Sequence, residues 1–137
     1  MSLLLLDTCA LLFFTMNEPE SGKVKSAMQQ AYEAGELVYV SPISAWEIGL
    51  LVSTGRLNLS MPPNRWFDNV MQKPGVGLAD LSTDVLIATS FLPEMPVRDP
   101  ADRILVATAR EYDFTLVTRD RKLLAYADKG HIQALAC

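Results

Sequence analysis

At 137 residues the chain has room for one buried core and not for two, so it is expected to form a single domain over residues 1–137 with no linker. Half of its residues are hydrophobic and a fifth are charged, which excludes disorder and supplies enough apolar surface to cover both faces of a sheet. A net charge of −4 excludes a uniformly basic nucleic-acid binder, but seven of the twelve Lys and Arg fall between Arg98 and Lys129, so charge does not exclude a polyanionic substrate.

In chain order, Leu3 to Leu6 is short and continuously apolar, and Asp7-Thr8 follows at once. That is the pattern of a buried central strand ending in a polar turn. Interrupted by Asp7 and without a basic leader, the run is expected to be neither a spanning helix nor a signal peptide, and the expected location is the cytoplasm. A short helix is expected from Cys9. Pro19 and Glu20 open a second helix through Ala34, with Val24, Ala27, Met28 and Ala31 on one face and Gly35 as its stop. Leu37 to Val40 reads as the second strand. Ser44-Ala-Trp-Glu47 fits a capping box, opening a helix that stops at Gly55.

Pro62-Pro63 breaks the chain, and Asn64 to Gln72 is amphipathic, carrying Trp66, Phe67, Val70 and Met71. Pro74-Gly75 is a turn before a weak strand near Val76 to Leu81. Ser82 can cap a helix to Phe91, and Asp99-Pro100 places a cap before a proline, opening a helix through Arg110. Thr115 to Thr118 is the clearest late strand. A helix from Asp120 to Ala127, a break at Gly130 and a strand from Ile132 to Leu135 complete the chain. Strands alternating with helices imply an α/β fold with a mostly parallel five-stranded sheet between two helical layers.

The acids fall where such a fold builds its sites. Asp7 and Asp120 follow strands, and Glu47, Asp99 and Asp102 lie in the first turns of helices. In open parallel sheets these positions border one crevice at the carboxyl edge. Each acid also has a plain structural use: Asp7 and Asp99 as caps, Glu47 as the far half of a capping box, Asp102 and Asp120 as complements to helix dipoles. Thr8, Ser44 and Thr118 either position carboxylates or waters, or simply cap turns. A cluster of carboxylates repels itself unless a cation neutralises it. All-oxygen ligation favours Mg²⁺ or Mn²⁺ over zinc, and such ions suit phosphodiester hydrolysis.

Other chemistries lack their residues. His131 is the single histidine, which removes His-based zinc sites and Ser-His-Asp catalysis. Cys9 and Cys137 form no spaced framework, and Cys9 is expected to be a small core residue. An aspartyl phosphotransferase or phosphatase would use Asp7 as its nucleophile, but the position two residues on is Cys9 rather than an acid, and no Gly-rich phosphate loop is present.

The ordered set Leu-Asp7-Thr8, Ser44-Ala-Trp-Glu47-Ile, Asp102-Arg-Ile-Leu-Val-Ala-Thr-Ala and Leu-Val-Thr118-Arg-Asp120 resembles the PIN-domain family, in the form of its VapC-like toxins, over nearly the whole chain. The resemblance implies a three-layer α/β/α PIN-like fold. It also implies an acidic pocket of Asp7, Glu47, Asp102 and Asp120 holding one or two Mg²⁺ or Mn²⁺ ions, with Asp99 an extra acid of the Asp-Pro-x-Asp-Arg variant. Implied too are hydrolysis of single-stranded or looped RNA, inhibition by a VapB-like antitoxin, and a homodimer. A PIN-like domain that binds RNA or protein without cutting is the alternative, and retention of the full acid set weighs against it. Arg98, Arg103, Arg119, Arg121 and Lys122 flank the crevice in sequence and are either contacts to an RNA backbone or solvated surface charge. Trp46, Trp66, Phe67 and Met71 are expected in the core, with a dimer or antitoxin surface as the other use.

Overall fold

The computed structural model describes residues 2–16, 22–94 and 97–137. Its elements in order are β1 (Leu4–Leu6), α1 (Thr8–Thr15), α2 (Gly22–Glu33), β2 (Val38–Val40), α3 (Pro42–Ser53), α4 (Pro63–Met71), β3 (Val76–Leu78), α5 (Thr83–Ala88), α6 (Pro100–Tyr112), β4 (Thr115–Thr118), α7 (Arg121–Asp128) and β5 (Gln133–Ala136). The expected opening of the second helix at Pro19 and Glu20 lies outside the described residues. Every strand pair is parallel, which sharpens the expected mostly parallel sheet, and the order is β3-β2-β1-β4-β5.

β1 is central because it can be buried on both faces. Leu4, Leu5 and Leu6 pair with Val38, Tyr39 and Val40 on one side and with Thr115, Leu116 and Val117 on the other. Strand side chains alternate between faces. Leu5 and Leu116 therefore meet Leu105, Val106 and Ala109 of α6 and Leu123 and Tyr126 of α7. Leu4, Leu6, Val38, Val40 and Val117 meet Ala10, Leu11, Val24, Ile48 and Val70 from α1 to α4. Two apolar cores on opposite faces of one sheet make the three layers. Full burial of each large aliphatic side chain stabilises the fold by about 1.5–3 kcal/mol.

The helix starts are set by short polar side chains. Asp7, Ser41, Ser82, Asp99 and Asp120 each accept a backbone N–H of the first turn that follows. One expectation is corrected here: α3 is capped by Ser41 with Pro42 in its first turn, so Ser44 and Glu47 lie inside the helix and form no capping box. At its other end Gly55 has φ +75°, its N–H reaches the Val52 carbonyl, and the Arg56 N–H reaches the Leu51 carbonyl. This Schellman-type closure folds Arg56 back over the last turn. The helix after Ser82 ends at Ala88, short of the expected Phe91. Among the described residues no helix is long and apolar enough to cross a membrane.

The sheet order reverses beside β1. The chain leaves β1 for β2 on one side and reaches β4 on the other, so the carboxyl ends of β1 and β4 flank the switch point where open α/β sheets bind ligands. Helix α6 precedes the parallel strand β4 and must run against it, so its Asp99 to Asp102 end returns to the same edge.

Candidate active site

Two hydroxyl contacts join acids from distant segments. Thr118, fully buried at the end of β4, donates to Asp7 Oδ2 at 2.5 Å, while Asp7 Oδ1 accepts the Ala10 N–H at 2.7 Å. Thr118 Oγ1 also accepts the Asp120 N–H at 3.1 Å, tying the start of α7 to the same carboxylate. On the other side of Asp7, Thr8 donates to Glu47 Oε1 at 2.5 Å. Thr8 Oγ1 also lies 2.8 Å from the buried Ser44 Oγ. A hydroxyl has one proton to give. With the Thr8 proton on Glu47, Ser44 is the donor to Thr8. Thr118 and Thr8 thus orient carboxylates, Ser44 acts through Thr8, and Thr118 also caps the turn before α7, so both of the uses left open by the sequence are present.

The acids share one field. Burial is the largest cause raising the Asp7 carboxyl above its ordinary value, opposed by its bonds from Thr118 and Ala10 and reinforced by Asp120. Glu47 is also raised, first by burial and then by Asp99 and Asp7, with the Thr8 hydroxyl pulling the other way. Asp102 is raised furthest, from 3.8 to about 7, first by burial and then by the charges of Asp99, Asp120, Glu47 and Asp7. Those neighbours include each of the other predicted site acids. No hydrogen bond to the Asp102 carboxyl is present among the described residues. Asp99 and Asp120 are exposed and act as caps, Asp99 accepting from Ala101 and Asp120 from Lys122 and Leu123. The expected cap role of Asp99 therefore holds, and its charge still reaches Asp102 and Glu47.

The donor chemistry suits a hard divalent cation: the set is all oxygen, partly desolvated and mutually repelling. Among the described residues, however, no three acids converge closely enough to grip one ion directly. The expectation of a cluster of three or four carboxylates within a few ångströms is therefore not met among the described residues: the acids share an edge and a field, while hydroxyl and backbone donors hold the individual carboxylates in separate places.

The flanking cations divide. Arg103 is a structural residue, its Nε donating to the Val97 carbonyl at 2.9 Å and its other nitrogen to the Thr89 carbonyl at 3.3 Å. Arg119 lies 3.8 Å over the Phe13 ring and still contributes positive charge at Asp7. Arg98, Arg121 and Lys122 are exposed. Two expectations are corrected. Cys9 is exposed rather than in the core, and Trp46 is 56% exposed, whereas Trp66, Phe67 and Met71 do pack against the core. Arg56 escaped sequence reasoning. Its signal was Gly55, which ends α3 in a closure that returns the next residue to the helix.

The family model of the PIN domain matches residues 4–129. Ribonuclease VapC22 of Mycobacterium tuberculosis is 31% identical over 107 residues, covering 78% of this chain and 81% of that protein. Among solved structures, VapBC2 from Rickettsia felis bound to a promoter DNA fragment superimposes with a TM-score of 0.69 at 13% identity, covering 98% of both chains. DNA-bound VapBC from Salmonella typhimurium gives 0.67 at 18% identity over 99% of this chain and 98% of that one. FitAcB from Neisseria gonorrhoeae gives 0.60 at 19% identity over 97% and 96%. At these identities the structural likeness speaks for the fold.

Proposed function

The chain belongs to the PIN-domain family, and on that premise we propose that it is a Mg²⁺- or Mn²⁺-dependent endoribonuclease acting in the cytoplasm as the toxin of a VapBC-type pair. One observation carries the reading: Thr118 and Thr8 fasten Asp7 and Glu47 beside the switch point of the sheet, with Asp102 in the field of both and Asp120 acting on Asp7 and Asp102. Concentrated negative charge with dedicated hydroxyl supports has a use when a cation and a phosphodiester are brought there. RNA as substrate is supported by the relative named a ribonuclease. A VapB-like antitoxin as partner is supported by the likeness to VapBC assemblies. A homodimer belongs to the same proposal.

Asp7 and Asp102 are the first candidates to hold the ion, with Glu47 and Asp120 completing the set directly or through water. Mg²⁺ is commonly held by one or two carboxylates with water and substrate phosphate filling the remaining positions, so a ready-made cage of three acids is not required. When bound, such an ion supplies positive charge against the phosphodiester and its leaving oxygen. Thr118 and the Ala10 N–H keep Asp7 in one orientation, and Thr8 does the same for Glu47. Asp102, raised to about 7, can carry or release a proton near neutral pH while metal-free.

The test is cleavage of a mixed cellular RNA pool by purified wild-type protein and by Asp7→Asn, each with EDTA, Mg²⁺ or Mn²⁺. Cleavage that needs metal and is lost in the variant supports the proposal. RNA bound but left intact in both metals, by protein free of antitoxin, would sink it in favour of a non-catalytic binding domain.

A further inference from the structure

Beside the acids lies a cavity of about 550 Å³, of whose lining only Glu47 belongs to the proposed chemistry. Trp46, Leu50 and Leu51 of α3 form its apolar wall, Arg56 and Arg98 its cationic side, and Glu47 and Asp99 its boundary with the acidic edge. Trp46 and Leu50 are 56% and 47% exposed, high for an indole, a side chain that is mostly buried on average. Arg56 and Arg98 are exposed too, and among the described residues neither makes a salt bridge or a side-chain hydrogen bond.

We infer that this cavity receives a nucleotide of single-stranded RNA next to the bond being cut, its base stacked on Trp46 and its phosphate held between Arg56 and Arg98. The inference rests on the nuclease reading and adds a substrate-positioning surface to it. Each part of a nucleotide has a counterpart. An exposed aromatic face accepts any base, and unpaired guanidinium groups match a phosphate fork to fork. Glu47 lines the cavity and belongs to the acid set, so a strand lying on Trp46 leads its adjoining phosphate to the acids. A second copy of the chain is the other natural cover for an exposed indole. Glu47 and Asp99 beside this one make that a poorer fit, because acidic side chains are depleted at protein interfaces.

Trp46 and Trp66 are the only tryptophans, so Trp66→Phe leaves Trp46 as the sole indole reporter. A short single-stranded oligoribonucleotide of mixed sequence, titrated in EDTA so that it is not cut, should quench that emission saturably. An abasic ribose-phosphate chain of equal length should leave the emission nearly unchanged. Trp46→Ala should weaken RNA binding about tenfold or more, consistent with the loss of one stacked base, and Trp46→Phe should recover most of it. Arg56→Ala with Arg98→Ala should weaken both ligands and reduce the salt dependence.

Equal affinities for wild type and Trp46→Ala, or equal quenching by the abasic chain, would overturn the inference. So would a blue shift of Trp46 emission with rising protein concentration in the absence of RNA, together with a dimer that Trp46→Ala converts to monomer. If Trp46→Ala does not fold, the two titrations of the Trp66→Phe protein decide alone. Metal-dependent cleavage with an indifferent Trp46 removes the platform and leaves the nuclease, whereas quenching by RNA without any cleavage removes the nuclease and leaves a binding surface.

Discussion

Thr118 is completely buried and donates to a buried carboxylate, so replacing it by valine keeps the shape and removes the proton that orients Asp7. Thr118→Val is expected to cost roughly 1–3 kcal/mol of stability, the range for an unsatisfied buried acceptor, and to lower the cleavage rate about 10- to 100-fold. Thermal unfolding and initial rates on one RNA pool check both. Asp102 gives a pH signature of opposite sign to the usual carboxylate. Its pKa is raised to about 7 in the folded protein, so the folded state binds the proton more tightly than the unfolded chain does. The associated stability is fully present below the ordinary value near 4 and is lost as pH rises through about 7. In EDTA the midpoint of thermal unfolding should therefore be lower at pH 8 than at pH 5, and Asp102→Asn should reduce that difference. An unchanged difference in the variant would place the pH dependence elsewhere.

At the scale of elements, Asp7, Asp99 and Asp120 each cap a helix and add charge to the site, and substitution can separate the duties. Asp120 caps α7 through the Lys122 and Leu123 N–H groups while its charge reaches Asp7 and Asp102. Asp120→Ser keeps a capping oxygen and removes the charge, whereas Asp120→Ala removes both. Alanine is expected to lose about 1 kcal/mol more than serine in chemical unfolding, while both lose cleavage activity. Serine retaining wild-type activity would show that Asp120 is a cap alone. The caps were readable in the sequence because they are local: Asp99-Pro100 and Ser82 set helix starts where expected. The start of α3 was not, because Ser44-x-x-Glu47 satisfies the capping-box pattern while Ser41 followed by Pro42 satisfies a competing one. The fixed proline φ at the first helical turn favours the second start. The three inner strands came through since continuous apolar runs identify a doubly covered sheet, whereas edge strand β3 stops at Leu78, short of the expected Leu81. The bonds from Thr8 to Ser44 and Glu47 did not, because pairing across 36 and 39 residues depends on how the helices pack. The same limit hid the use of Arg103, whose carbonyl partners include Thr89 in an unrelated segment.

For the whole molecule, mutual repulsion of the acids makes folding and cation binding compete or cooperate through one site. A ligand that binds only the folded state stabilises it in proportion to the logarithm of its concentration over Kd. Adding Mg²⁺ at pH 8 is expected to raise the unfolding midpoint of the wild type and to raise that of Asp7→Asn less, which differential scanning calorimetry would check. The central pairing of β1 with β4 has a further consequence in time. Asp7 gains its Thr118 donor from 111 residues downstream, and Leu5 gains its Leu116 neighbour across the same span. At synthesis rates of about 5–20 residues per second, on the order of ten seconds separates the two ends of that contact. The amino-terminal half emerging from a ribosome therefore carries Asp7 and Glu47 without the strand that seats them. A chain assembled in this order cannot complete its acidic edge until β4 has emerged to seat Asp7.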